Sequence, residues 1–276
     1  MLGSFSGRTT GPKPRHIAAR TFALMTCLSL AAVSRAFAAA PASSAPKPHA
    51  ALLAAIQACA PDSRQLLQQA VAIDSGTGDA EGIAAVGQLF AERLQSLGAT
   101  VRKVRSTAPA VGDNVVATLT GTGRGRVLLI AHLDTVFARG NVASRPPRWE
   151  GERLIGPGAG DDKGGAVLAV CALGALRRIG FHDFARIDLL LNVSEERGSN
   201  GSAALIRAMA GDSDAAINLE RGVPVDQALV SRKGSAELVF EFSGRAAHAG
   251  LEPEKGRNAV LEAARVAQAL GALADA

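Results

Sequence analysis

The sequence predicts an α/β protein: a doubly wound, mostly parallel sheet with helices on both faces, followed by the start of a smaller α+β domain. Three observations predict it. Continuous apolar runs at 126–131, 187–191 and 215–219 read as strands buried on both faces. Stretches with apolar residues at helical spacing, at 64–73, 81–97, 163–179 and 202–209, alternate with them. Each apolar run then ends in acidic residues or histidine, and such sheets gather ligands at the carboxyl ends of their strands.

Composition narrows the class. Of 276 residues 47% are hydrophobic, which is enough for a real core. The net charge of +5 would suggest a polyanionic partner, but residues 1–40 carry five basic residues and no acidic one. The rest balances at 25 basic and 25 acidic residues, so no basic field steers a nucleic acid. Those forty residues read as a secretory signal. A basic stretch ends at Arg20, an apolar run at 21–33 is too short to span a bilayer, and Ala36-Phe37-Ala38 offers a cleavage site. The mature protein is therefore expected to be periplasmic or secreted and free of the membrane.

Residues 41–60 begin rich in Ala, Pro and Ser and are expected to form a flexible lead-in to a main domain at 61–233. Of the cysteines outside the signal, Cys171 lies on an apolar helix, where a free buried thiol is the usual outcome, and two cysteines do not make a disulfide scaffold. The first helix stops at the turn residues Asp74-Ser75-Gly76-Thr77-Gly78, and the second at Gly98. Residues 101–106 and 114–119 read as strands. From Ala236 to Phe242 the pattern alternates with period two, then comes a loop holding His248, and then a helix over 258–274. One strand and one helix cannot bury a core, so 234–276 is expected to be only the beginning of a second domain.

Chemistry concentrates at four places. After the first buried strand, His132 and Asp134 lie two apart, so in an extended chain they share a face and the carboxylate can hold the imidazole in one tautomer. Asp161 and Asp162 sit among glycines directly before a helix, where Asp162 can cap the helix while a bent backbone aims a carboxylate at a cation. Glu195 and Glu196 follow the second buried strand. Adjacent residues diverge, so one can bind a metal while the other serves as a base. Glu220 follows the third. Taken singly, each also reads as a structural histidine or a solvated acidic turn, and Glu220 as a surface partner of Arg221. Together, one histidine and several carboxylates suit zinc or another borderline divalent ion. Other chemistries lack support, because there is neither a Gly-x-Ser-x-Gly elbow nor a phosphate-binding loop.

In order and context, Ala131-His132-Leu133-Asp134-Thr135-Val136, Gly156-Pro157-Gly158 with Asp161-Asp162-Lys163-Gly164-Gly165, Ser194-Glu195-Glu196-Arg197-Gly198-Ser199, Leu219-Glu220 and Gly244-Arg245-Ala246-Ala247-His248-Ala249-Gly250 resemble the motifs of the co-catalytic zinc amidohydrolase family. That family includes glutamate carboxypeptidases, aminoacylases and succinyl-diaminopimelate desuccinylases, and the secreted bacterial glutamate carboxypeptidases are most similar. The resemblance covers about residues 60 to 276. It implies two Zn(2+) ions bridged by Asp161, one completed by His132 and Glu220 and the other held by Glu196. It implies Glu195 as general base, Asp134 orienting His132, a cis Asp161–Asp162 peptide, and His248 reaching substrate from the smaller domain, often in a partner subunit of a homodimer. A small peptide or N-acyl amino acid is the implied substrate. His49 and His182 match no ligand and are expected on the surface. The family also takes a histidine from near the end of its catalytic domain, and this sequence stops before that point. A C-terminally truncated member is therefore expected, with a non-catalytic binding or dimerisation module as the alternative.

Overall fold

A computed structural model of the chain describes residues 49–109, 111–222, 228–231, 234 and 238–273. The expected signal and residues 41–48 of the expected lead-in lie outside these residues. The end of the lead-in is not flexible: Ala50–Ala58 forms helix α1, capped by His49, whose Nδ1 accepts from the Leu52 amide. Helices α2 (Ala60–Val71) and α3 (Ala80–Ser96) follow. Helix α3 begins at Asp79, whose carboxylate accepts from the Gly82 amide, and ends where Gly98 turns the chain at a φ of +80°.

Strands β1 (Thr100–Arg105), β2 (Asp113–Thr120) and β3 (Arg126–His132) come next, then the short helix α4 (Asn141–Ser144) and a small hairpin of β4 (Arg148–Glu150) and β5 (Arg153–Ile155). Helix α5 (Lys163–Arg178), β6 (Arg186–Asn192), α6 (Ala203–Gly211), β7 (Ala215–Asn218) and α7 (Ala259–Gly271) complete the elements used below. The main sheet has the order β1-β2-β6-β3-β7. Its β1–β2 and β2–β6 pairings are antiparallel, and β6–β3 and β3–β7 are parallel, so only β2 runs against the other four strands.

Alternation along the strands builds two cores. Val115, Ala117, Leu129, Ala131, Leu189 and Leu191 face α2, α3 and α5, and pack with Leu66, Ile83, Phe90 and Leu173. Val116, Leu128 and Leu190 point the other way, onto Leu205, Ile206 and Met209 of α6. Helices thus cover both faces, as the pattern predicts. His132 falls at the end of β3 in register with Asn192 at the end of β6, so the segments that follow both strands emerge side by side.

Three expectations are corrected. Ala215–Asn218 is a strand but is exposed along its length, because it is the edge strand and is bonded only to β3 among the described residues. The expected strand over 236–242 falls partly outside the described residues, and its part from Leu238 to Phe242 pairs with nothing described and is exposed except for half-buried Phe242. Cys171 is not a free thiol: it is disulfide-bonded to Cys59, with their Cα atoms 5.9 Å apart, which is within the reach of a bridge. Their sequence separation of 112 hides a proximity that arises only when α1 and α2 pack on α5.

The bridge closes a long loop and so removes much unfolded-chain entropy. Replacing both Cys59 and Cys171 by Ser is expected to destabilise the fold by about 3 kcal/mol, roughly 10 °C in Tm. Calorimetry checks this, and a Tm that does not move would show the pair to be unbridged.

Candidate metal centre

His132 is buried, and its ring is held by its own strand end. Its Nδ1 lies 2.8 Å from the main-chain carbonyl of Asp134, which can only accept, so Nδ1 carries the proton. Nε2 is then left facing Asp161 Oδ1 at 3.0 Å and Glu220 Oε1 at 3.3 Å. A lone pair among carboxylate oxygens is repulsive unless a cation, proton or metal, lies between them. Burial would lower the pKa of His132, but Asp134, Asp162 and Glu220 overcome it and push the ring up to about 10.

The sheet places the other groups. Pairing of Ile130 with Asn218 brings Glu220, two residues on, level with His132. Glu195 and Glu196 lie in a short 3-10 turn, Glu195–Arg197, entered through Ser194 at a φ of +64°. That left-handed conformation is unfavourable for serine. It is held from both sides, as the amides of Glu195 and Glu196 donate to the two oxygens of Asp134 at 3.0 and 3.3 Å, and Ser194 Oγ accepts from the Gly201 amide. Ligand atoms of His132, Glu195 and Glu220 form one group within 4.8 Å of one another, and those of His132, Asp161 and Glu196 form a second. A nitrogen donor and four carboxylates in so small a space fit a divalent cation by the chemistry of the donor set.

Asp134 holds the site together in a way that its spacing from His132 does not show. Its carboxylate is fully buried, and it accepts from Thr77 Oγ1 at 2.6 Å as well as from the two glutamate amides. Burial alone would raise its pKa, but the interactions with His132, Thr77 and the Glu195 amide hold it below the usual carboxylate range. The contact to His132 is chiefly through the carbonyl, with Asp134 Oδ1 at 3.5 Å from Nδ1. Thr77 was legible in the sequence only as part of a turn.

The Asp161–Asp162 peptide is cis, as the resemblance implies. Asp162 does not cap α5 with its side chain. Its Oδ2 instead accepts from the His132 amide at 3.2 Å, and its Oδ1 has no hydrogen-bond partner among the described residues. Burial, reinforced by Glu220 and Asp161 and opposed by His132, pushes Asp162 up to about 7. Burial also raises Glu195 and Glu196, with the surrounding carboxylates adding to it. An added Cβ at Gly165 would collide with Asp162 Oδ1 and the Leu219 carbonyl, so glycine lets the start of α5 meet the end of β7 closely. Buried Lys163 donates to the Ile73 carbonyl at 2.7 Å, and burial lowers it to about 8 against the pull of Asp74.

Of the expected site residues, His132, Asp134, Asp161, Glu195, Glu196 and Glu220 converge. His248 is not brought to them: its ring is exposed, and its Nδ1 accepts from the Gly250 amide. His49 and His182 are exposed, as expected.

The profile of peptidase family M20/M25/M40 matches residues 128–276, more than half of the chain, and the chain belongs to that family of hydrolases. Carboxypeptidase G2 of Pseudomonas sp. (strain RS-16) is 41% identical over 198 residues, covering 71% of this chain and 48% of that protein. The indole-3-acetyl-aspartic acid hydrolase of Enterobacter agglomerans is 42% identical over 94 residues, 32% of this chain and 21% of the relative. A tripeptidase from Staphylococcus aureus superposes with a TM-score of 0.55 at 22% identity, covering 75% of this chain and 55% of its own, and shares the fold. The chain spans about half the length of carboxypeptidase G2.

Two outcomes follow from this geometry. Thr77→Val is expected to weaken divalent-metal binding about tenfold, with Thr77→Ser restoring it, in a chelator competition assay. A Val variant with unchanged affinity would remove Thr77 from the site. The carboxylates around His132 push its pKa up to about 10, so a divalent metal at Nε2 has to compete with a proton there. Divalent-metal affinity should therefore rise with pH between 6 and 9, and metal titration into weakly buffered protein should acidify it. Affinity that is flat across this range would contradict the assignment.

Proposed function

We propose that the chain supplies the catalytic part of a two-zinc metallohydrolase that cleaves an amide bond, releasing a C-terminal glutamate-like residue from a small peptide or an N-acyl amino acid. The observation that carries this reading is the convergence of His132 Nε2, Asp161 and Glu220 at 3.0 and 3.3 Å, with Glu195 and Glu196 beside them. His132, Asp161 and Glu220 would hold one ion, and Asp161 with Glu196 the other. Bound zinc would supply Lewis acidity toward the amide carbonyl and the attacking water.

The chain's own residues supply the remainder. Glu195 takes a proton from the attacking water and delivers it to the leaving amine, and its raised pKa suits a group that must both accept and release. Asp134 holds His132 in the tautomer that presents Nε2 and fixes the turn that carries Glu195. His248 would act on substrate from the smaller domain, which begins near residue 234 after a catalytic domain over 61–233. In a homodimer it would serve the partner subunit. Release of a C-terminal residue agrees with the name of one relative, a carboxypeptidase, and an amide of an acidic amino acid with that of another, an indole-3-acetyl-aspartic acid hydrolase. Export to the periplasm or beyond agrees with the Cys59–Cys171 bridge, since disulfides persist in oxidising compartments. No helix among the described residues is long and apolar enough to cross a membrane.

One observation favours a second reading, a binding or dimerisation module without turnover. The second ion has only Asp161 and Glu196 assigned to it among the described residues, and catalytic zinc usually has three protein ligands.

Metal analysis and hydrolysis of an N-acyl-glutamate separate the two readings. The hydrolase reading expects bound zinc and turnover that falls 10²- to 10⁴-fold in Glu195→Gln, with metal content unchanged. Zinc-loaded protein without turnover would favour the module, and undiminished turnover in Glu195→Gln would remove Glu195 as the base.

A further inference from the structure

A cavity of about 380 Å³ lies at the other end of α5 from the metal centre, walled by α1, α2 and the last turns of α3 and α5. Helical rise puts the end of α5 about 20 Å from Asp162. The volume falls in the range of small-molecule sites, about 300 to 1,000 Å³. Its floor is apolar, with Leu66, Val170 and Ala175 buried and Leu97 half-buried. Its walls carry three arginines, Arg93, Arg177 and Arg178, against one acid, Asp62. None of these four groups has an ion-pair partner among the described residues. Basic residues often end a helix by meeting its free carbonyls. Arg177 does so, donating from Nη1 to the Ser96 carbonyl at 3.1 Å, whereas Arg93 and Arg178 make no side-chain hydrogen bond among the described residues. Arg93 is half-buried, where a guanidinium without a counter-ion is unfavourable. Gly174 keeps the cavity open. It lies inside α5, where glycine is less favourable than alanine, and a Cβ there would meet only Leu97, at an ordinary 3.6 Å. Packing therefore does not call for glycine at this position.

We infer that this cavity binds a small amphipathic carboxylate, its apolar body on Leu66, Leu97 and Val170 and its carboxylate taken by Arg93 and Arg178. The site is separate from the metal centre and does not depend on the hydrolase reading. Three guanidinium groups against one carboxylate leave positive charge in excess, which an anion offsets. A guanidinium also presents a planar fork of donors that matches a carboxylate. A bare oxyanion such as sulfate would leave the apolar floor uncovered, and a neutral apolar molecule would leave Arg93 unpaired. The Cys59–Cys171 bridge lines the same cavity, so a bound ligand would shield its sulfurs from an attacking thiol.

The test measures binding rather than turnover. The full chain with its bridge intact is titrated by calorimetry with octanoate, phenylacetate, octanamide and sulfate, before and after treatment with a chelator. Octanoate is expected to bind about tenfold more tightly than octanamide, a figure kept modest by the exposure of Arg178, and its affinity should be the same with and without metal. Replacing Arg93→Gln and Arg178→Gln together should abolish that preference, with Arg177 left in place to hold the Ser96 carbonyl. Gly174→Met should fill the cavity and abolish binding without lowering Tm. Saturating octanoate should slow reduction of the bridge by dithiothreitol. A preference that persists in the paired glutamine variant, or binding that survives Gly174→Met, overturns the site. Octanoate binding that vanishes with the chelator also overturns it, by placing the ligand on the metal centre. Sulfate binding as tight as that of octanoate overturns the class of ligand. Failure of both octanoate and phenylacetate to bind overturns the inference outright and leaves the hydrolase reading untouched.

Discussion

Everything at the candidate metal centre depends on one buried carboxylate, that of Asp134. It receives the Thr77 hydroxyl from the turn between α2 and α3 and the Glu195 and Glu196 amides from the turn after β6. Its own main-chain carbonyl receives Nδ1 of His132. Three segments far apart in the chain are thus tied to a single residue. A buried anion is tolerable only when its oxygens are fully satisfied, so the ties are mutually dependent. Loss of any one donor leaves the charge short of a partner and frees the segment that supplied it.

This tie creates a second constraint, a concentration of negative charge. Asp161, Asp162, Glu195, Glu196 and Glu220 surround one imidazole, and burial, reinforced by their mutual repulsion, raises the proton affinity of Asp162, Glu195 and Glu196. The same field raises that of His132. Such an arrangement is stable as a site for cations and poor as anything else. The fold bears the strain through close backbone packing, seen where Gly165 lets α5 meet β7, and through Ser194 held in a left-handed conformation at the mouth of the glutamate turn. Arg221, with its Nε 3.6 Å from Asp161 Oδ2, adds an opposing charge beside the acidic groups.

Away from the site, the sheet and helices form a rigid support. Helices α2, α3 and α5 bury one face and α6 the other, while the Cys59–Cys171 bridge pins the junction of α1 and α2 to α5. The α5 helix begins at Lys163, immediately after the two aspartates, so the bridge braces the helix on which they are mounted.

Much of this was legible in the residues. Strands β3 and β6 stand out because continuous apolar runs suit only strands buried on both faces, and α3 and α5 because their apolar spacing matches one helical face. The six converging site residues stand out because histidine and paired acids at strand ends have no place in a core. Pairwise tertiary proximity was not legible. Thr77 lies 57 residues from Asp134, and Cys59 lies 112 from Cys171, and no local pattern encodes such contacts. Ala215–Asn218 was expected to be buried because its residues are apolar, yet burial depends on what lies beside a strand, and as an edge strand it is exposed. Asp162 was placed correctly at the start of its helix, but its carboxylate turns to the His132 amide rather than to the helix. By itself, the sequence determined the main strands and helices around the site and the ligand types, which follow from periodicity and side-chain chemistry along the chain. Only the tertiary structure decided which donors meet, which strand is covered and which thiols pair, because those depend on register and packing between segments remote in sequence.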